Sequence, residues 1–221
     1  MKWYLDFGHG GKDPGALGTN KTKESDSVLK IGMLIKNNLE QAFEKVITTR
    51  EDDKYYSLDY RSSKANKENC DYFVSIHMNS STNKSAKGVE VWVYDEKSKL
   101  YTLSKNICSN LSKTINTPNR GVKISKSFSV LRKTKMPALL IEIDFISNTS
   151  VEASLKSDIY IKNIATSISK SLLAFVNKSI VDDGIFYRVC IGEFKDMSTA
   201  VEIKNTAISK GFNNTHIINS L

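Results

Sequence analysis

Histidine and cysteine are scarce in this chain, three of each in 221 residues. The cysteines, Cys70, Cys108 and Cys190, are odd in number, far apart and without a C-x-x-C pair. That excludes a disulfide framework and a thiolate zinc site, and leaves them as small core residues. Any histidine chemistry is confined to His9, His77 and His216. No apolar run approaches the ~18 residues needed to cross a bilayer. The opening MKWYLDFGHGG lacks the apolar stretch and small-residue cleavage site of a signal peptide, so synthesis in the cytoplasm is expected. There is no long-period repeat, no low-complexity tract, and neither a Cys/His finger nor an aromatic-basic ribonucleoprotein strand, so nucleic acid is not an expected partner.

What is present is ordinary globular material, 40% hydrophobic and 25% charged, enough for one α/β domain with a small appendage. The net charge of +8 is unevenly placed, +9 over residues 1–181 and −1 from Asp182 onward. A basic body of this kind attracts polyanions.

The apolar periodicity predicts strands at Lys2–Phe7, Val46–Thr49, Tyr72–His77, Gly88–Tyr94 and Ala138–Ile143. It predicts helices carrying Val28, Ile31, Ile35, Leu39 and Phe43, then over Leu58–Asn69, Ser98–Thr117 and Asp158–Val176. Strands alternating with helices imply an α/β fold, a mixed and mostly parallel sheet covered by helices on both faces. A catalytic domain over 1–177 and a linker over 178–184 are followed by a small β-α-β unit over 185–221. In that unit IFYRVCIGEF reads as a strand, Thr199-x-x-Glu202 as a capping box, Gly211 as a helix terminator and THIINS as a last strand. It is too small to bury a core alone and should pair with a second copy or dock on the larger domain.

Four residues stand where a strand or loop would not ask for them. His9 lies between glycines after the first strand, His77 ends the strand YFVSIH, Glu142 sits inside ALLIEIDF, and Glu24 precedes a helix. Two His and one Glu form a catalytic zinc set, and a second Glu is the usual general base beside it. Each also has a plain structural reading: a surface imidazole, a hydrogen-bonded strand end, a buried ion pair, a solvated carboxylate. The glycine cluster lacks the Lys-Ser/Thr ending of a phosphate loop, so that reading is poor.

Residues 4–18, YLDFGHGGKDPGALG, closely resemble the opening of the zinc-dependent N-acetylmuramoyl-L-alanine amidases. The resemblance runs on through Glu24, Thr49–Arg50, Arg61 with Ala65–Asn66, DYFVSIHMN, GVEVWVY and VLRKTKMPALLIEIDFISN to about residue 177. It implies that His9, Glu24 and His77 hold Zn2+ and that Glu142 is the catalytic base for hydrolysis of the amide between N-acetylmuramic acid and L-alanine. Asp6, Asn79 and Asn148 beside these motifs are candidates for substrate contact, for support of the ligands, or for turn formation. Asp144 departs from the family's glycine two residues after the catalytic Glu; there it either raises the Glu142 pKa by like-charge repulsion or faces solvent. The segment 186–212 resembles the first half of a sporulation-related peptidoglycan-binding repeat. The expected partners are peptidoglycan, anionic wall polymers, and a second copy of the chain through the tail. The enzyme implied is a phage endolysin or a mother-cell-lysis autolysin that reaches the wall after release. The competing readings are a non-catalytic wall-binding protein with a decayed amidase fold, and a zinc peptidase cutting a different bond.

Overall fold

The computed structural model describes residues 1–180 and 191–212, with Thr215 and Ile217. The chain divides into two compact units, Met1–Val181 and Asp182–Leu221.

In the first unit β1 (Lys2–Phe7), α1 (Glu24–Gln41), β2 (Lys45–Thr48), α2 (Leu58–Lys67), β3 (Tyr72–Asn79) and β4 (Val89–Val93) are followed by α3 (Tyr101–Ile115), β5 (Asn119–Ile124), α4 (Ser129–Lys133), β6 (Ala138–Phe145), α5 (Thr149–Ser154) and α6 (Asp158–Phe175). The six strands form one sheet in the order β2-β1-β3-β6-β4-β5. All neighbouring pairs are parallel except β4 with β6. The period-2 alternation of a strand divides its side chains between two layers. Trp3, Leu5, Phe7, Val74, Ile76, Val91, Leu139 and Ile141 face a core shared with α1, α3 and α6. Tyr4, Phe73, Ala138 and Leu140 face a smaller cluster closed by Ala65 of α2 and by Val130 and Leu131 of α4. The mixed, mostly parallel sheet with helices on both faces is the one expected from the sequence. The second cover is short, and beyond it the same face carries Asp6, Ser75, His77, Glu90 and Glu142.

Three elements escaped the periodicity. β5 reads NRGVKI and is an edge strand with little apolar alternation, while α4 and α5 span 5 and 6 residues, under two turns each. Phe43 does not continue the α1 stripe: α1 ends at Gln41, and Phe43, at φ +58°, is 89% exposed. Cys70 and Cys108 are buried free thiols, and Cys190 lies outside the described residues. Lys178 donates to the carbonyl of Ala42 and pairs with Glu44 at 2.6 Å, and Ile180 packs on the larger core. The first unit therefore reaches past residue 177.

In the second unit the N-cap of α7 (Met197–Ser209) lies three residues before Thr199, the start of the expected capping box. Asp196 is its N-cap, accepting from the Thr199 amide at 2.8 Å and from the Thr199 hydroxyl. A carboxylate at the N-cap serves the free amides of the first turn better than Thr199 would from inside the helix. Gly211, at φ +97°, follows the helix end as expected. Of the strand expected at 185–194, residues 185–190 lie outside the described residues and 191–194 form no strand. Of the strand expected at 215–220, His216 and residues 218–220 also lie outside them, and Thr215 and Ile217 form no strand. No helix among the described residues is long and apolar enough to cross a membrane.

A candidate metal centre beside a buried carboxylate

The site lies at the carboxyl ends of β1 and β3, the edge where open α/β sheets bind ligands. His9 follows β1 and holds φ +60°, a left-handed conformation uncommon for a non-glycine residue and concentrated at functional sites. Two buried arginines fix that strained loop. Arg50 donates to the carbonyls of Phe7, Gly8 and Ser25, and Arg61 donates to those of Phe7 and His9. Arg61 is itself held by Asp6 at 2.7 Å. Gly8 must lack a side chain, because a Cβ there would lie 2.4 Å from the His77 ring.

Glu24 opens α1 and is buried. Its Oε1 accepts from the Met78 amide and lies 3.0 Å from His77 Nδ1 and 3.2 Å from His9 Nε2, while Oε2 accepts from the Ala16 amide. One ligand atom from each of His9, Glu24 and His77 falls within 4.8 Å of the others. Burial disfavours the charged form of all three, but their mutual contacts outweigh it. The Glu24 carboxyl is held well below the usual range by the two imidazoles. Glu24 and Asp13, the latter 2.9 Å from His9 Nδ1, lift the His9 pKa to about 9, and Glu24 lifts that of His77. Two imidazoles and one carboxylate converging this closely are the donor set of a three-ligand zinc site, with Asp13 orienting one imidazole from behind.

Glu142 is the direct neighbour of His77 across the β3–β6 pair and of Glu90 across the β6–β4 pair. Its Oε2 is buried without a hydrogen-bond partner among the described residues. Burial, reinforced by the charges of Glu24 and Glu90 and opposed by His77, raises its pKa to about 7. A carboxyl poised there can take and return a proton near neutrality.

The remaining candidates separate. Asp6 is 1% exposed and its oxygens are taken by Thr49, Arg61 and Ser75, so it braces the loop and does not reach substrate. Asn148 caps α5 through the amides of Ser150 and Val151 and donates to the Lys84 carbonyl, the turn role. Asn79 donates to Glu90 Oε2 at 3.2 Å and borders the site. Asp144 neither faces solvent nor acts on Glu142. Between the pairs His77–Glu142 and Asn79–Phe145, two residues of β6, Ile143 and Asp144, oppose one of β3, Met78, and this bulge breaks the alternation that would align Asp144 with Glu142. Its carboxylate accepts from Gly88, Thr117 and Phe145 instead. The sequence reading passed over Glu90, whose signal is the one that marked Glu142, an acid inside an apolar strand. The roles of Arg50, Arg61 and Asp13 carry no such signal.

A profile of N-acetylmuramoyl-L-alanine amidases matches residues 4–174. The chain is 34% identical over 215 residues to the sporulation-specific N-acetylmuramoyl-L-alanine amidase of Bacillus subtilis, covering 96% of this chain and 82% of that protein. It is 36% identical over 182 residues to an endolysin of Bacillus phage SPP1, covering 79% and 65%. Among solved structures it is similar to the amidase AmiC2 of Nostoc punctiforme, with a TM-score of 0.75, 33% identity, and 80% and 97% of the two chains covered.

Proposed function

Because the chain belongs to the N-acetylmuramoyl-L-alanine amidase family, we propose that His9, Glu24 and His77 hold a catalytic zinc ion and that Glu142 is the general base beside it. The reaction is that of a peptidoglycan hydrolase, cleavage of the amide between N-acetylmuramic acid and the L-alanine of the stem peptide. The observation that carries the metal and base assignments is the convergence of three ligand atoms within 4.8 Å, one strand away from a carboxylate with a buried, unpartnered oxygen.

A zinc ion so held supplies Lewis-acid polarisation of the amide carbonyl and acidifies a water toward neutrality. Glu142 accepts a proton from the attacking water and delivers one to the departing alanine amine. Asp13 fixes the orientation of the His9 imidazole through Nδ1, and Arg50 and Arg61 keep the His9 loop in its strained conformation. Glu142→Ala should retain zinc while releasing fewer alanine amines from walls by about 10²- to 10⁴-fold. Undiminished release by that variant excludes Glu142 as the base.

The tail from Asp182 resembles half of a peptidoglycan-binding repeat, and the role proposed for it is wall attachment or pairing with a second copy. Action at the wall after release from the cytoplasm, by a phage lysin or by the cell's own lysis enzyme, is the setting that this reading supports.

A further inference from the structure

Glu90 is buried directly across the sheet from Glu142, and the Arg120 guanidinium lies against it. Arg120 is aimed there by a bulge in the edge strand: between the pairs Val89–Asn119 and Val91–Val122, two residues of β5, Arg120 and Gly121, oppose one of β4, Glu90. Bulges of this kind re-aim side chains beside active sites. Gly121 supplies the left-handed backbone at φ +80°, and its amide donates to Asn119 Oδ1 at 2.9 Å. Two contacts then fix the guanidinium. Nε donates to Glu90 Oε1 at 2.5 Å, and Cζ stands 5.0 Å from the centroid of the Phe145 ring.

The orientation of the guanidinium is informative. An arginine present only to neutralise Glu90 would set its two-nitrogen Nη fork on the carboxylate, the stronger geometry. Here the single Nε bond does that work. The fork makes no hydrogen bond to any described residue, and the side chain is 43% exposed. An immobilised guanidinium with its planar fork turned outward is a receptor for a carboxylate.

Spacing limits where that carboxylate can lie. Adjacent strands are ~4.8 Å apart, so β5 lies ~10 Å from β6 and Glu142. An extended peptide advances ~3.3 Å per residue, and the arginine side chain reaches back toward β4. We propose that Arg120 anchors the carboxylate carried by the second residue of the stem peptide, the one following the L-alanine, and so sets the scissile amide over Glu142. This rests on the amidase reading above and adds a preference that the reading does not contain, for acidic over amidated stem peptides.

The test uses the zinc-loaded full chain and two synthetic N-acetylmuramoyl peptides that differ only at the second residue. One carries a free D-isoglutamyl carboxylate, the other the D-isoglutaminyl carboxamide, and all remaining carboxyls are amidated in both. The wild type is expected to favour the acid by about 10- to 100-fold in kcat/KM, chiefly through KM. Arg120→Ala should abolish that preference, and Arg120→Lys should keep part of it. The double variant Glu90→Gln/Arg120→Ala leaves no buried carboxylate unpaired and should show the same loss, which separates lost recognition from local unfolding. A preference that survives in both alanine variants, or a wild type indifferent to the carboxylate, overturns the anchor. A wild type that holds zinc yet cleaves neither peptide overturns the amidase reading itself.

Discussion

Glu142 is a buried carboxylate with two others, Glu24 and Glu90, close enough to repel it, and that has a measurable cost. In the metal-free protein its pKa is raised to about 7 by burial and by the charges of Glu24 and Glu90. A raised carboxyl stabilises the fold when protonated and loses that contribution as pH rises through the folded value. Glu142→Gln should therefore stabilise the chelator-treated protein at pH 8, by on the order of 3 kcal/mol as an upper figure. The advantage should vanish below about pH 4.5, the ordinary Glu value. Urea denaturation at the two pH values checks both limbs. The pKa values of the proposed ligand histidines are raised as well. His9, raised to about 9, holds its proton at pH 7 when metal-free, and Glu24 raises the His77 pKa as well; each imidazole must be neutral to coordinate. Zinc binding at pH 7 should release at least about one proton, that of His9, and affinity should fall as the pH is lowered. Calorimetry in two buffers of different ionisation enthalpy counts the protons released; no proton release would contradict the ligand assignment.

At the scale of elements, the three proposed ligands sit at the end of β3, the start of α1 and the loop after β1, and other elements hold these positions still. The clearest brace is Glu152 of α5, fully buried, whose carboxylate accepts from the Thr19 hydroxyl at 2.7 Å, the Asn20 and Thr22 amides at 2.9 and 3.1 Å, and the Asn20 side chain. Burial opposes its charge, yet these donors lower its pKa to about 2. Its stabilising contribution is thus present above pH 4.5 and lost only as pH falls toward 2. The turn it holds leads directly into Glu24. Glu152→Ala leaves two amides without acceptors, for about 2–4 kcal/mol of stability. It should also weaken zinc retention by about 10- to 100-fold, the usual scale for loss of support around a ligand. Competition with a chromogenic chelator reads the second effect, and unchanged retention would limit Glu152 to stability alone.

At the scale of the molecule, charge and the two-unit division bear on wall association. Residues 1–181 carry +9 and the remainder −1, so any electrostatic component of wall binding resides in the first unit. Raising NaCl from about 50 to 500 mM should sharply reduce its partition onto isolated walls, since exposed charges are screened over a few ångströms at high salt. Binding that persists in the full chain at high salt, and is lost on truncation after Val181, would assign the residue of affinity to the tail. Sedimentation of the same two proteins separates wall attachment from pairing: a tail that pairs chains makes only the full-length protein heavier than a monomer.

Much of this protein was written in its sequence. Periodicity located the five strands that carry the core, because a half-buried strand or helix must repeat its apolar side chains at its own pitch. Polar residues placed against that pattern, His9, His77 and Glu142, together with Glu24 before its helix, named the set that the fold draws together. Tertiary structure alone decided the rest. Pattern could not show the edge strand β5, the short helices α4 and α5, or the Asp196 cap, because none of them buries a full apolar stripe. Nor could it show that Asp6 and Asn148 are spent inside the protein. The bulges in β6 and β5 turn Asp144 away from Glu142 and aim Arg120 along the sheet toward it. A bulge is a mismatch of register between two strands, and register exists only once both strands are paired.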